Sequence, residues 1–74
     1  MIEKEFNEKI IKKLRAESSE FRKIEEEHRK LDERVEEIDK IKFLSTEIEL
    51  ERKNLQKEKL VKKDQLAKMI RANE

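Results

Sequence analysis

Not one glycine or proline occurs among the 74 residues of this chain, and that absence constrains its fold more than any motif does. Proline removes a helical hydrogen bond and glycine has the largest backbone entropy to lose, so these two residues end helices most often. Without them, and with Glu, Lys, Arg and Leu recurring throughout, long helices are expected and nothing favours sheet. Charged residues make up 53% of the chain against 34% hydrophobic, a proportion also met in disordered chains. Here, however, the net charge is only +1 and the apolar positions are periodic, which points to long helices or coiled coil.

Ile10, Leu14, Phe21, Ile24, His28, Leu31, Val35 and Ile38 have the spacing of one helical seam. Phe21, His28 and Val35 take a positions, while Ile24, Leu31 and Ile38 take d positions. Glu17, Ser18 and Ser19 interrupt the stripe together, and either serine can cap a restarted first turn. The spacing nevertheless predicts one continuous helix over about 3–39. The period then breaks at DKIKFLSTEIE, residues 39–49. Ser45 or Thr46 can be the N-cap of a second helix. Thr46 and Glu49 have capping-box spacing, and Glu47 and Glu49 suit the positive end of the helix dipole. A connection at about 40–45 and a second helix at about 46–71 follow, with a stripe of Ile48, Leu55, Leu66 and Met69 or Ile70. Between Leu55 and Leu66 the seam holds Lys59 and Lys62.

The expected fold is all-α: a single helical-hairpin domain over residues 1–74 in which two helices pair antiparallel, coiled-coil fashion. Setting Ile38 against Ile48 puts Leu31 opposite Leu55, Ile24 opposite Lys62 and Phe21 opposite Leu66. The expected core is Phe21, Ile24, Leu31, Val35, Ile38, Ile48, Leu55 and Leu66. Residues 17–51 hold seven basic and thirteen acidic side chains, a net of −6, and residues 52–71 hold eight and two, a net of +6. The basic run LQKEKLVKKD, residues 55–64, thus finds partners within the chain at Glu25, Glu26 and Glu27, while lysine stems can lie along the seam. A lone hairpin exposes one side of its core. Leu60 and Val61 point about 140° and 240° away from Leu55 at about 100° per residue. Both are expected oligomer contacts, in a homodimer that closes two hairpins into a four-helix bundle.

Most routes to chemistry are closed. The chain has no cysteine, which removes thiolate catalysis and suits a reducing, cytoplasmic setting. No stretch approaches the ~18 apolar residues of a membrane span, and MIEKEFNEKII lacks a signal-peptide core. Glu25-x-x-His28 has the spacing of a carboxylate-bridged metal site, with Glu58 near the same level. Lys59 and Lys62 oppose a cation there, so His28 reads instead as a polar a-position residue that sets register or pairs with Glu58. Carboxylate pairs such as Asp32 and Glu36 arise by chance among 19 acids. No catalytic residue, cofactor, metal ligand or small-molecule substrate is expected, and the chain reads as a structural or protein-interaction module. The alternative is sequence-nonspecific nucleic-acid binding by Arg52, Lys53, Lys57, Lys59, Lys62 and Lys63, continued by Lys68 and Arg71. Near-neutral net charge, the lack of a stacking aromatic and the acids of the first helix weigh against it. Attachment of the same helix to a membrane surface would take the apolar stripe that the hairpin needs. Phe6, Phe21 and Phe43 read as packing residues, with Phe43 alternatively an exposed contact for a partner protein.

The run SSEFRKIEEEHRKLDERVEEI, followed by STEIELERKNLQKEKLVKKDQLAKMI, resembles the YdcH-like family of small bacterial proteins of unknown function. The resemblance covers roughly residues 10 to 70. It is carried by Phe21, Ile24, His28, Leu31-Asp32 and Val35, and by Leu55, Lys59-Leu60, Lys63-Asp64 and Leu66. Family members often place an apolar residue where this chain has Lys62. The resemblance implies a self-associating helical hairpin, and it brings no catalytic or ligand residues.

Overall fold

The computed structural model describes residues 7–74, which form three helices: α1 Glu8–Glu17, α2 Ser19–Asp39 and α3 Thr46–Ala72. The expected helix start near residue 3, and Phe6, lie outside the described residues. Among the described residues the fold is all-α, with three helices in place of the expected two. Ser18 is the reason. Its backbone is extended, with φ −115 and ψ 110, and its hydroxyl accepts from the Phe21 N–H at 3.0 Å, so it caps α2. The same residue's N–H donates to the Leu14 carbonyl at 2.8 Å and closes α1.

The chain turns sharply at that residue. Arg15 and Glu25 would lie about 15 Å apart on one straight helix, ten residues at 1.5 Å each. Instead their side chains meet at 2.7 Å. Arg22 reaches back from α2 to donate to the Arg15 and Ala16 carbonyls, at 2.6 and 3.4 Å. Those carbonyls are orphaned by the helix end, and a cation there is also favoured by the dipole. The continuous helix predicted from spacing is therefore overturned by a cap, a guanidinium and an ion pair acting within one turn.

α1 folds back to add Ile11 and Leu14 to a cluster with Phe21 and Ile24 of α2 and Leu66 and Ile70 of α3, all buried. Ile10, the residue on the predicted seam, packs only against the edge of this cluster, and fully buried Ile11 takes its place. Of the two candidates near the end of α3, Ile70 is the buried one and Met69 is peripheral. α2 and α3 run antiparallel, as their cross-links require: Arg52 with Asp39, Arg34 with Glu51, Lys59 with Asp32, and Lys62 with Glu27. Near the connection Val35 and Ile38 are buried.

α3 starts at Ser45, whose hydroxyl accepts from the Ile48 N–H at 3.2 Å. The Thr46–Glu49 capping box is thus not formed, because a cap at Ser45 puts apolar Ile48, not Glu49, at the third helical position. Glu47 and Glu49 still occupy the first turn, where the dipole favours acids.

Candidate functional site

The charged side chains of α2 divide into two flanks. Glu25, Asp32 and Asp39 recur every seven residues and so share one face. Arg15 of α1 takes Glu25, Lys59 takes Asp32, and Arg52 takes Asp39 at 2.8 Å. Glu27 and Arg34, also seven apart, line the other flank. There Lys62 pairs with Glu27 at 2.8 Å and Arg34 with Glu51 at 2.7 Å. Of the acidic run expected to meet the lysines, only Glu27 crosses to α3. Glu25 goes to α1, Glu26 bonds Arg29 on its own helix, and the acid facing Lys59 is Asp32.

Because α1 attaches through Glu25, the Glu27–Arg34 flank stays open. It holds a groove of about 540 Å³ whose apolar lining is Leu31, Leu55 and Val61 and whose charged rim is Glu27, Lys30, Arg34, Lys57, Glu58 and Lys62. Leu31 and Leu55 belong to the seam, yet both are only half-buried, as is Ile48. The other expected core residues, Phe21, Ile24, Val35, Ile38 and Leu66, are buried. Among the described residues six large apolar side chains remain exposed, including Leu60 at 62%, Val61 at 53%, Leu50 at 59% and Phe43 at 84%. Leu60 and Val61 lie about 100° apart around the helix, so only Val61 reaches the groove. Phe43 is at the surface with the Lys42 ammonium 5.8 Å above its ring, not in the core as a packing residue would be. Sequence reasoning missed Leu50. Its signal was the eleven-residue spacing to Val61, which puts both on one face outside the main stripe.

The middle of the seam is polar. His28 is half-buried there, and its pKa is pushed below the usual 6.5, chiefly because burial disfavours the charged ring and secondarily because Lys59 is near. A hydrogen bond from Lys59 holds the Asp32 carboxyl below its ordinary range, and one from Lys62 does the same for Glu27. Among the described residues no three His, Asp or Glu side chains converge to hold a metal ion. Of the residues proposed for nucleic acid, Arg52, Lys59 and Lys62 are committed to acids of α2. Lys63 is half-buried, and Lys53 and Lys57 are exposed. No described helix is long and apolar enough to cross a membrane. No family model, curated protein or solved structure matches this chain, so its own surface carries the functional reading.

Proposed function

We propose that this chain is a small structural or protein–protein interaction module of the bacterial cytoplasm, that its working surface is the Leu31–Leu55–Val61 groove, and that its partner is a second copy. The observation that carries this reading is the half-exposure of Leu31 and Leu55. They sit on the seam at a level where, among the described residues, only α2 and α3 meet, with a further apolar side chain, Val61, beside them. A second α2–α3 pair laid over the groove would remove that surface from water and give a four-helix bundle. The resemblance to the YdcH-like family favours the same self-association, and the lack of cysteine suits the reducing compartment. Pairing of Arg52, Lys59 and Lys62 with α2 acids favours this reading over nucleic-acid binding, since these cations already have counter-charges.

Sedimentation equilibrium at low and high salt, with and without a short fluorescent RNA or DNA duplex, tests it. The expected result is a dimer that tolerates salt and ignores the nucleic acid. A monomer that binds the duplex at low salt and releases it at high salt would overturn the proposal, because steep salt dependence is the mark of phosphate contacts.

A further inference from the structure

Two exposed side chains of α3 lie on one line that runs into the groove. Leu50 and Val61 are eleven residues apart, about three turns, and so share a face. Seven residues before Leu50, in the connection, stands Phe43, the most exposed of the described large hydrophobics. Leu50 therefore lies midway along the chain between Phe43 and Lys57, and Lys57 is itself on the groove rim, between Leu55 and Val61.

We infer that the groove receives the connection of a second copy: Phe43 of one protomer seats on Leu31, Leu55 and Val61 of its partner, and the exchange is reciprocal about a two-fold axis passing close to Leu50. This rests on the reading of the groove as a docking surface and specifies how it is filled. In an isologous contact, if residue i meets residue j then j meets i. An axis at Leu50 with α3 antiparallel to its copy sets Phe43 against residue 57, fills both grooves at once, and buries the two Leu50 side chains on each other. A groove of about 540 Å³ is within the ~300–1,000 Å³ of sites that enclose a compact apolar group, enough for the Phe43 ring.

Charge supports the same register. Glu58, on the groove rim, makes no ion pair among the described residues, and the two-fold sets it level with Lys42 of the connection. The connection end is unsuited to a uniformly anionic partner. Lys40 and Lys42 are flanked in sequence by Glu36, Glu47 and Glu49, acids that oppose a lipid surface or a nucleic acid where Phe43 would have to enter.

Because the chain has no cysteine, single-cysteine variants report the arrangement directly. A disulfide forms only where Cα atoms come within about 4.4–6.8 Å. Leu50→Cys is expected to give a covalent dimer on mild oxidation. Val61→Cys alone is expected to stay unlinked, and Lys57→Cys mixed with Phe43→Cys, the pair set level by the two-fold, is expected to give the mixed dimer. Phe43→Ser, at a site exposed in the single chain, is expected to leave helicity unchanged while weakening self-association at least about tenfold. Cross-linking of Val61→Cys to itself without cross-linking of Leu50→Cys would overturn the staggered exchange while leaving a fully overlapped dimer. Unaltered association of Phe43→Ser would also overturn it. A monomer at every concentration would overturn both the exchange and the self-association on which it rests.

Discussion

The two halves of the α2–α3 pair are built from similar sequence and end differently packed. At the α1 end, Phe21, Leu66 and Ile70 lose all contact with solvent, because a third helix supplies Ile11 and Leu14. At the middle, Leu31 and Leu55 occupy equivalent seam positions and stay half-exposed, beside His28, Lys59 and Lys62. The difference teaches that heptad position fixes which way a side chain points, whereas burial depends on what covers the seam at that level, α1 beside Phe21 and the turn into the connection beside Ile38. Two helices shield a seam from two sides only.

Truncation should separate the halves most. Phe21→Ala is expected to destabilise the chain by about 3–5 kcal/mol, the range for opening a cavity under a buried aromatic, and Leu31→Ala by roughly 1 kcal/mol. Denaturant titration at concentrations where the chain is monomeric checks this. Equal losses would show that the middle is as tightly closed as the end.

Next in size is the joint that brings α1 into place. Ser18→Ala removes the oxygen that accepts from the Phe21 N–H and is expected to cost about 1 kcal/mol, as for other N-caps. If α1 instead extends α2 as one straight helix, the contact between Arg15 and Glu25 disappears. An unaltered midpoint, with that contact intact by NMR, would mean that α1 is held by its apolar face alone.

Acid should loosen the middle before the end. His28 is faced by Lys59 and Lys63 from α3 and by Asp32 and Glu25 from its own helix. Its folded pKa lies below 6.5, so in the pH range below 6.5 and above the folded value the unfolded chain binds the proton and the folded one does not. Stability is therefore expected to fall as pH drops through that window. The carboxylates of Glu27 and Asp32, also lowered, add a second fall below their ordinary values of 4.5 and 3.8. His28→Leu should abolish the upper step and keep the lower one. A thermal-melting series from pH 7.5 to 3 on both proteins would show it, and an upper step persisting in the variant would refute the assignment.

The smallest effect belongs to the exposed ladders. Glu27→Gln, which breaks the pair with Lys62, is expected to move the unfolding midpoint less than Ser18→Ala does and to move it not at all in 1 M salt, since exposed pairs are weak and screened. A salt-independent loss would show that the pair is part of the groove's packing.

Much of this was readable from the residues, and the failures have physical causes. The absence of glycine and proline announced helix, and the period break at residues 39–49 located the connection. The signal for the turn at Ser18 was also present, since Glu17, Ser18 and Ser19 interrupt the stripe. What could not be weighed was a cap of about 1 kcal/mol against an unbroken heptad count, because the deciding contacts, Arg15 with Glu25 and Ile11 with the cluster, form only after the turn. The pair Ile10–Ile11 hinted that α1 uses a different face. The groove was hidden for a related reason: its openness depends on which flank α1 occupies, and the contacts that place α1, the Arg15–Glu25 pair and the packing of Ile11 and Leu14, exist only in the folded chain.

Ser18 serves two helices at once, finishing α1 with its N–H and starting α2 with its hydroxyl. α2 consequently carries its own complete start and does not lean on α1 for backbone order. The chain thus has a built-in seam of cooperativity: the first helix can unzip as its own foldon while the longer pair stays protected. Amide hydrogens of residues 11–17 should exchange with solvent well ahead of those near Ile38.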